Sequence, residues 1–184
     1  YDLYPEIAVR TNSISDTGII YKLISKVNQY FFKIVDNVVA LSEEMKNYIS
    51  SNRCVTIDKI AVIPNWHKDE YNTRDEEITN NEIKLKLQRK KVVSYLGNMG
   101  TCQDIDTILD VAKSMKNNHE FIFLFAGHGN KVKTVKSAIS NGLDNVLFYD
   151  FLHGKDYLDV LNMTSYAIVS LEEGLNGLCV PSKT

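Results

Sequence analysis

Val92-Val93-Ser94-Tyr95-Leu96-Gly97-Asn98-Met99-Gly100 reads as a strand running into a glycine turn. Downstream, Asp104 to Lys116 places Ile105, Ile108, Leu109, Ala112 and Met115 at helical spacing. Phe121-Ile122-Phe123-Leu124-Phe125-Ala126 is a strongly apolar strand, and it too ends in glycine, at Gly127-His128-Gly129. Lys131 to Ile139 is a helix with Val132, Val135 and Ile139 inward, closed by Asn141-Gly142. Val146 to Tyr149 is a strand, Lys155 to Leu161 a helix, and Tyr166 to Ser170 a buried strand. Strands alternating with helices predict a parallel sheet covered by helices, an α/β fold of Rossmann-like type.

Working outward, the upstream residues show the same alternation. From Asp16 to Val35, Ile20, Ile24, Val27, Phe31 and Ile34 recur at helical spacing. Val38 to Leu41 is a short strand. Ser42 follows as an N-cap, with Glu43 and Glu44 in the first turn where the helix dipole favours acids. That helix carries Met45, Tyr48 and Ile49 inward and ends near Asn52. Lys59 to Ile63 is a second strand, stopped by Pro64-Asn65. Between Asp69 and Glu82, Ile78 is the only aliphatic residue among acids and polar groups, which marks an exposed connection between two domains. Glu82 to Lys91 turns basic and reads as a solvated helix face.

Composition narrows the function classes. The chain has 184 residues, with 21 Lys plus Arg against 23 Asp plus Glu, a net charge of −2. That balance gives no electrostatic case for nucleic acid. Hydrophobic residues at 44% and charged residues at 24% build a core rather than a disordered chain. Cys54, Cys102 and Cys179, an odd set, read as reduced intracellular thiols, which suggests a cytoplasmic protein. No apolar stretch approaches the ~20 residues of a transmembrane helix, and no signal peptide opens the chain. The opening Tyr1-Asp2-Leu3-Tyr4-Pro5-Glu6 and the ending Val180-Pro181-Ser182-Lys183-Thr184 both read like the middle of a longer protein.

Ligands of open α/β sheets bind at the carboxyl ends of the strands, where strand order reverses. Three loops reach that edge with glycine: Gly97 to Gly100, Gly127 to Gly129, and Gly174-Leu175-Asn176-Gly177. Glycine allows close approach of a ligand to backbone N–H groups, although tight turns also need it. The first loop feeds a helix whose N-terminus suits a phosphate. The dinucleotide fingerprint G-x-G-x-x-G and its downstream acid are missing, and no Gly-Lys-Ser/Thr occurs, so NAD and P-loop ATP chemistry are disfavoured. No nucleophile elbow is present. His67, His119, His128 and His153 have neither an i, i+4 partner nor a cysteine pair, so no metal site is expected. Glu172-Glu173, read as directly following the last strand, can accept hydrogen bonds from sugar or ribose hydroxyls.

Five segments in order resemble the retaining family-4 glycosyltransferases of the GT-B fold, in the bacterial branch of capsule, O-antigen and colanic-acid enzymes that includes fucosamine-type transferases. They are Asp2-Leu3-Tyr4-Pro5-Glu6, Val38 to Met45, Lys59 to Trp66, Tyr95 to Gly100 and Val180 to Lys183. The resemblance implies two Rossmann-like domains, both incomplete. Residues 1–66 would end the acceptor-binding domain, 67–90 would link, and 91–184 would begin the donor-binding domain. It further implies that Gly97, Asn98 and Gly100 meet the donor diphosphate and that Gly127, His128 and Gly129 lie near the nucleoside. The base would meet backbone around Phe151 and Leu152. Glu173, followed by Gly174, matches the first acid of the family's E-x7-E motif and would touch the donor sugar as the catalytic carboxylate. Pro181 stands where the second acid belongs, so Ser182 and Lys183 would replace that contact. Thr101, Cys102 and Gln103 occupy the positions where many relatives carry Arg and Lys.

What the resemblance implies functionally is transfer of a sugar from a nucleotide-sugar donor, with UDP favoured, to a lipid-linked or saccharide acceptor. Anomeric configuration would be retained, with no cofactor and no bound metal. Two readings compete: a sugar-nucleotide epimerase of GT-B architecture, and an inactive nucleotide-binding fragment. Lys22, Lys26 and Lys33 on the Asp16–Val35 helix could also meet anionic headgroups at the inner face of a membrane, although pattern alone favours an ordinary buried amphipathic helix. With few strands in the first domain, Ile20, Ile24, Val27 and Phe31 of that helix are expected to stay partly bare.

Overall fold

The structure, a computed structural model, describes residues 2–66 and 81–181. The expected linker lies mostly outside the described residues, as do Ser182 and Lys183. The chain divides into two compact units, one formed by residues 2–66 with 171–181 and the other by 81–170.

The first unit holds α1 (Glu6–Arg10), α2 (Ile19–Ile34), β1 (Val38–Ala40), α3 (Glu43–Asn52) and β2 (Ile60–Val62). β1 and β2 are parallel, with Val38 opposite Ile60 and Ala40 opposite Val62. The Ser42 hydroxyl accepts from Met45 N–H at 3.1 Å, capping α3 as its sequence requires. α3 then turns Met45 and Ile49 onto Ala40, Val55 and Ile60, the small core of this unit. Arg53 is buried below it, ion-paired with Glu6 and donating to Tyr4 O at 3.0 Å. Residues 171–181 return to this unit. Leu3 N–H donates to Leu178 O at 2.8 Å, Asp2 bridges Cys179 antiparallel, and Leu175, Leu178 and Cys179 are buried.

The second unit holds α4 (Asn81–Leu87), β3 (Lys91–Leu96), α5 (Ile105–Ser114), β4 (Phe121–Ala126), α6 (Val132–Ser140), β5 (Val146–Tyr149), α7 (Gly154–Met163) and β6 (Thr164–Ala167). Its four strands are parallel, in the order β5-β4-β3-β6. The two-residue pleat separates two cores. Val93, Tyr95, Phe123 and Phe125 pack with Ile105, Ile108, Ala112 and Val135 from α5 and α6. Val92, Leu124 and Ala126 pack with Ile83, Leu87 and Val160 from α4 and α7. The chain runs from β3 outward to β5 and then crosses to β6 on the far side of β3, so the strand order reverses at β3.

Two expectations change here. The basic stretch before β3 is not simply a solvated face. Ile83 and Leu87, one turn apart, are buried, while Lys84 and Lys86 stay exposed. The last strand begins at Thr164, earlier than its apolar residues suggest, and it is an edge strand with Tyr166 57% exposed. The Thr164 hydroxyl donates to Val160 O at 2.8 Å and is hydrogen-bonded to the Ser94 hydroxyl at 3.0 Å, which fixes the strand start at the end of α7. The fold is α/β with parallel sheets.

Candidate functional site

β3, β4 and β5 bring their carboxyl ends to one edge of the second unit. Leu96 and Gly97, Ala126 and Gly127, then Phe151 to Gly154 with Tyr157 line a cleft of about 440 Å³. The exposed Phe151 ring stands between His128 at 5.7 Å and His153 at 4.6 Å, centroid to centroid. A flat, half-apolar shelf of this kind suits the face of a nucleobase.

The glycine loops above the cleft are packed on each other. Gly97 N–H donates to Ala126 O at 2.7 Å, Met99 N–H to His128 O at 2.6 Å, and Lys131 N–H to Met99 O at 2.9 Å. Gly127 and Gly129 have φ of 137° and 130°. A Cβ would stand 2.1 Å from Gly97 O in the first case and 2.3 Å from Met99 O in the second. Both glycines are therefore demanded by loop-on-loop contact. Gly100 differs: its Cβ would meet only the ends of the Gln103 and Asn98 side chains, which can move aside. Gly100 N–H donates to Gln103 Oε1 at 2.9 Å. The buried Tyr95 hydroxyl donates to Asn98 O at 2.7 Å and props the loop from below. Burial pushes the Tyr95 phenol up to about 12.

The N-terminus of α5 carries its own anion. The Asp104 carboxylate accepts from Thr107 N–H at 3.0 Å. Hydrogen bonding by the Thr107 side chain, and then by that N–H, holds its pKa below the usual carboxylate value. Lys131, at the end of the second glycine loop, donates to Asp106 at 3.2 Å and supplies a cation beside these loops. The sequence reading missed Lys131, Gln103, His153 and Tyr157. Lys131 follows Gly129 by two positions, which was the available signal.

Glu173 and Gly174 sit elsewhere in the chain's architecture. They lie in a turn of the first unit, five or more residues beyond β6 rather than directly after a strand. The Arg10 guanidinium covers Gly174, with Nη1 3.5 Å from where a Cβ would stand. Arg10, Asn12, Asp16, Tyr21, Tyr48, Gly174 and Asn176 line a polar cleft of about 620 Å³ within that unit. Burial, and then the Glu6 charge, raise the Tyr48 phenol above its ordinary value. The structure thus brings Gly97, Gly127, Phe151 and Leu152 to one cleft, with Asn98, Gly100, His128 and Gly129 in the adjoining loops. Glu173 and Gly174 belong to the other unit. Among the described residues no group of three or more His, Cys, Asp or Glu could hold a metal ion.

No family model matches the chain. Over its whole length it is 26% identical to a Pseudomonas aeruginosa protein named "Probable glycosyltransferase WbjE", of which it covers 46%. Over 81% of its length it is 28% identical to an Escherichia coli K12 protein named "Putative colanic acid biosynthesis glycosyl transferase WcaI", of which it covers 37%. The chain thus spans less than half the length of these relatives. Among solved structures it resembles Anabaena Alr3699/HepE in complex with UDP and glucose, with TM-score 0.62 and 14% identity, covering 79% of this chain and 41% of that one. It also resembles WaaG, a glycosyltransferase involved in lipopolysaccharide biosynthesis, with TM-score 0.57 and 14% identity over 88% of this chain and 46% of that one. The fold is of the GT-B type in part, and both of these relatives by sequence are named as glycosyltransferases.

Proposed function

We propose that the chain serves glycosyl transfer, moving a sugar from a nucleotide-sugar donor, a UDP-sugar, to a lipid-linked or saccharide acceptor in cell-surface polysaccharide biosynthesis, with retention. The observation that carries this reading is the cleft at the ends of β3, β4 and β5, with Phe151 set between two imidazoles. In this reading the base stacks on Phe151 beside Leu152. His128 and the backbone of Gly127 and Gly129 border the nucleoside. Asn98 and Gly100 border the diphosphate, since a side chain at Gly100 would press only on the Gln103 and Asn98 side chains and on no backbone. The leaving diphosphate gathers negative charge as the glycosidic bond breaks, and a fixed cation stabilises it. Lys131 is the described cation nearest in sequence to these loops; Lys183 is a second candidate, outside the described residues. Glu173 is assigned to the donor sugar, where an ionised carboxylate accepts from hydroxyls about twice as strongly as a neutral amide. Ser182 adds to that contact, and Gly174 keeps the turn open. The same reading places the protein in the cytoplasm with peripheral contact to the inner face of the membrane. It assigns no cofactor and no metal.

The two-stranded sheet of the first unit favours a second reading, in which this chain alone binds nucleotide without transfer. Melting temperature with UDP, GDP, ADP and NAD tests the shared element. UDP is expected to stabilise the chain most. Phe151→Ala is expected to weaken UDP binding about tenfold or more, the loss of one stacked base. Equal stabilisation by NAD, or unchanged UDP affinity in Phe151→Ala, would overturn the assignment. Release of free UDP in the presence of a saccharide acceptor separates transfer from binding alone.

A further inference from the structure

The chain's own groups occupy the start of α5. A helix N-terminus ordinarily offers unpaired N–H groups and a positive dipole end to an anion. Here Ile105 N–H donates to Gln103 O at 3.0 Å, and Thr107 N–H donates to the Asp104 carboxylate at 3.0 Å. In the loop before them, Gly100 N–H is taken by Gln103 Oε1 at 2.9 Å. Asp106 adds a second carboxylate in the first turn, 62% exposed. Two acids therefore stand where the sequence reading expected a phosphate, and both oppose further negative charge.

The compensating charge comes from the second glycine loop. Lys131 is tied at both ends. Its N–H donates to Met99 O at 2.9 Å, and its ammonium donates to Asp106 at 3.2 Å. Met99 adjoins Gly100, so the backbone of Lys131 stands against the loop assigned to the diphosphate. The Lys131 side chain is only 18% exposed. After the Thr107 hydrogen bonding, its charge also helps to keep Asp104 ionised. One cation thus serves two acids of α5. A diphosphate brings several anionic oxygens and competes well against a single exposed carboxylate for that ammonium.

We propose that Asp106 is a positioning residue that sets the affinity of the nucleotide site: it holds Lys131 against α5 in the unliganded chain, and a diphosphate takes the ammonium from it. The exchange makes the site read phosphate as well as base, because a nucleoside without phosphate has nothing to offer Lys131. The inference rests on the nucleotide reading of the cleft at the ends of β3, β4 and β5. It goes beyond that reading by naming a carboxylate that restrains the site and the ligand group that releases it.

Titration calorimetry of the full chain with UDP and with uridine tests it. Lys131→Gln should weaken UDP about tenfold, the loss of one charge-assisted hydrogen bond, and leave uridine unchanged. Asp106→Asn should tighten UDP about threefold, the weight of an exposed ion pair, again without effect on uridine. Asp106→Glu keeps the charge and should stay near the parent. In the Lys131→Gln background the gain from Asp106→Asn should vanish, since Asp106 acts through Lys131. An equal gain in both backgrounds would mean simple repulsion by the acid and would overturn the proposal. So would UDP affinity unchanged or weakened in Asp106→Asn, or equal losses of UDP and uridine in Lys131→Gln, which would reduce the pair to a support of the fold. A parent that binds neither UDP nor uridine would overturn the nucleotide reading itself, a result distinct from failure of the Asp106 variants alone.

Discussion

α5 and α2 are both strongly amphipathic, yet they end in different environments. α5 buries Ile105, Ile108, Leu109 and Ala112 against a four-stranded sheet, whereas α2 buries no residue completely and stands beside a sheet of two. Periodicity states that a helix has an apolar face; the number of strands and helices available decides whether protein covers it. The second unit closes both faces of its sheet with its own helices. Among the described residues, the first packs α3 on one face of its two strands and leaves Val39 on the other face 57% exposed.

Substitutions can break this contrast in order of size. Gly127→Ala sets a Cβ 2.1 Å from Gly97 O at a φ of 137°, so no side-chain movement relieves it. It is expected to cost about 4 kcal/mol or more. Gly174→Ala, in the first unit, meets Arg10 at an ordinary 3.5 Å and should cost only about 1 kcal/mol. Urea unfolding of the two variants checks the difference; similar losses would mean that the glycine loops are not packed on each other.

Next in size, Ile108→Ala opens a cavity between α5 and the sheet and should cost about 3 kcal/mol. Leu23→Ala removes an equally apolar side chain from the exposed face of α2 and should stay within about 0.5 kcal/mol. Comparable losses would show that α2 is covered by protein in solution.

A smaller loss than at Ile108 is expected at Tyr95. Tyr95→Phe removes the hydrogen bond to Asn98 O and should cost about 1 kcal/mol at neutral pH. The folded phenol pKa of about 12 lies above its ordinary 10, so the fold favours the neutral form. That contribution is complete below pH 10 and is lost as pH rises from 10 towards 12. The Phe variant should therefore lose stability less steeply over that interval, which alkaline unfolding curves measure.

Much of the second unit was legible because its segments are unambiguous. Phe121 to Ala126 is continuously apolar, and α5 places its inward residues at regular spacing. β6 was misplaced because its start is set by Thr164 bonding to Val160 and Ser94, not by apolar content. α1 was missed since five residues with only Ile7 buried leave no periodic signal. The glycines announced the loops, while the reason for Gly127 and Gly129 is contact between two loops, which no local pattern reveals. The place of Glu173 rests on pairings such as Leu3 with Leu178, between residues remote in sequence. Arg10 above Gly174 was invisible for the same reason.

Hydrogen exchange with and without UDP tests the central claim most directly, that the ends of β3, β4 and β5 form the nucleotide site. UDP should slow exchange at residues 96–100, 126–129 and 151–154 and leave α2 and α3 unchanged. Protection confined to α1, α3 or the turn at Glu173, with none in those three loops, would contradict it.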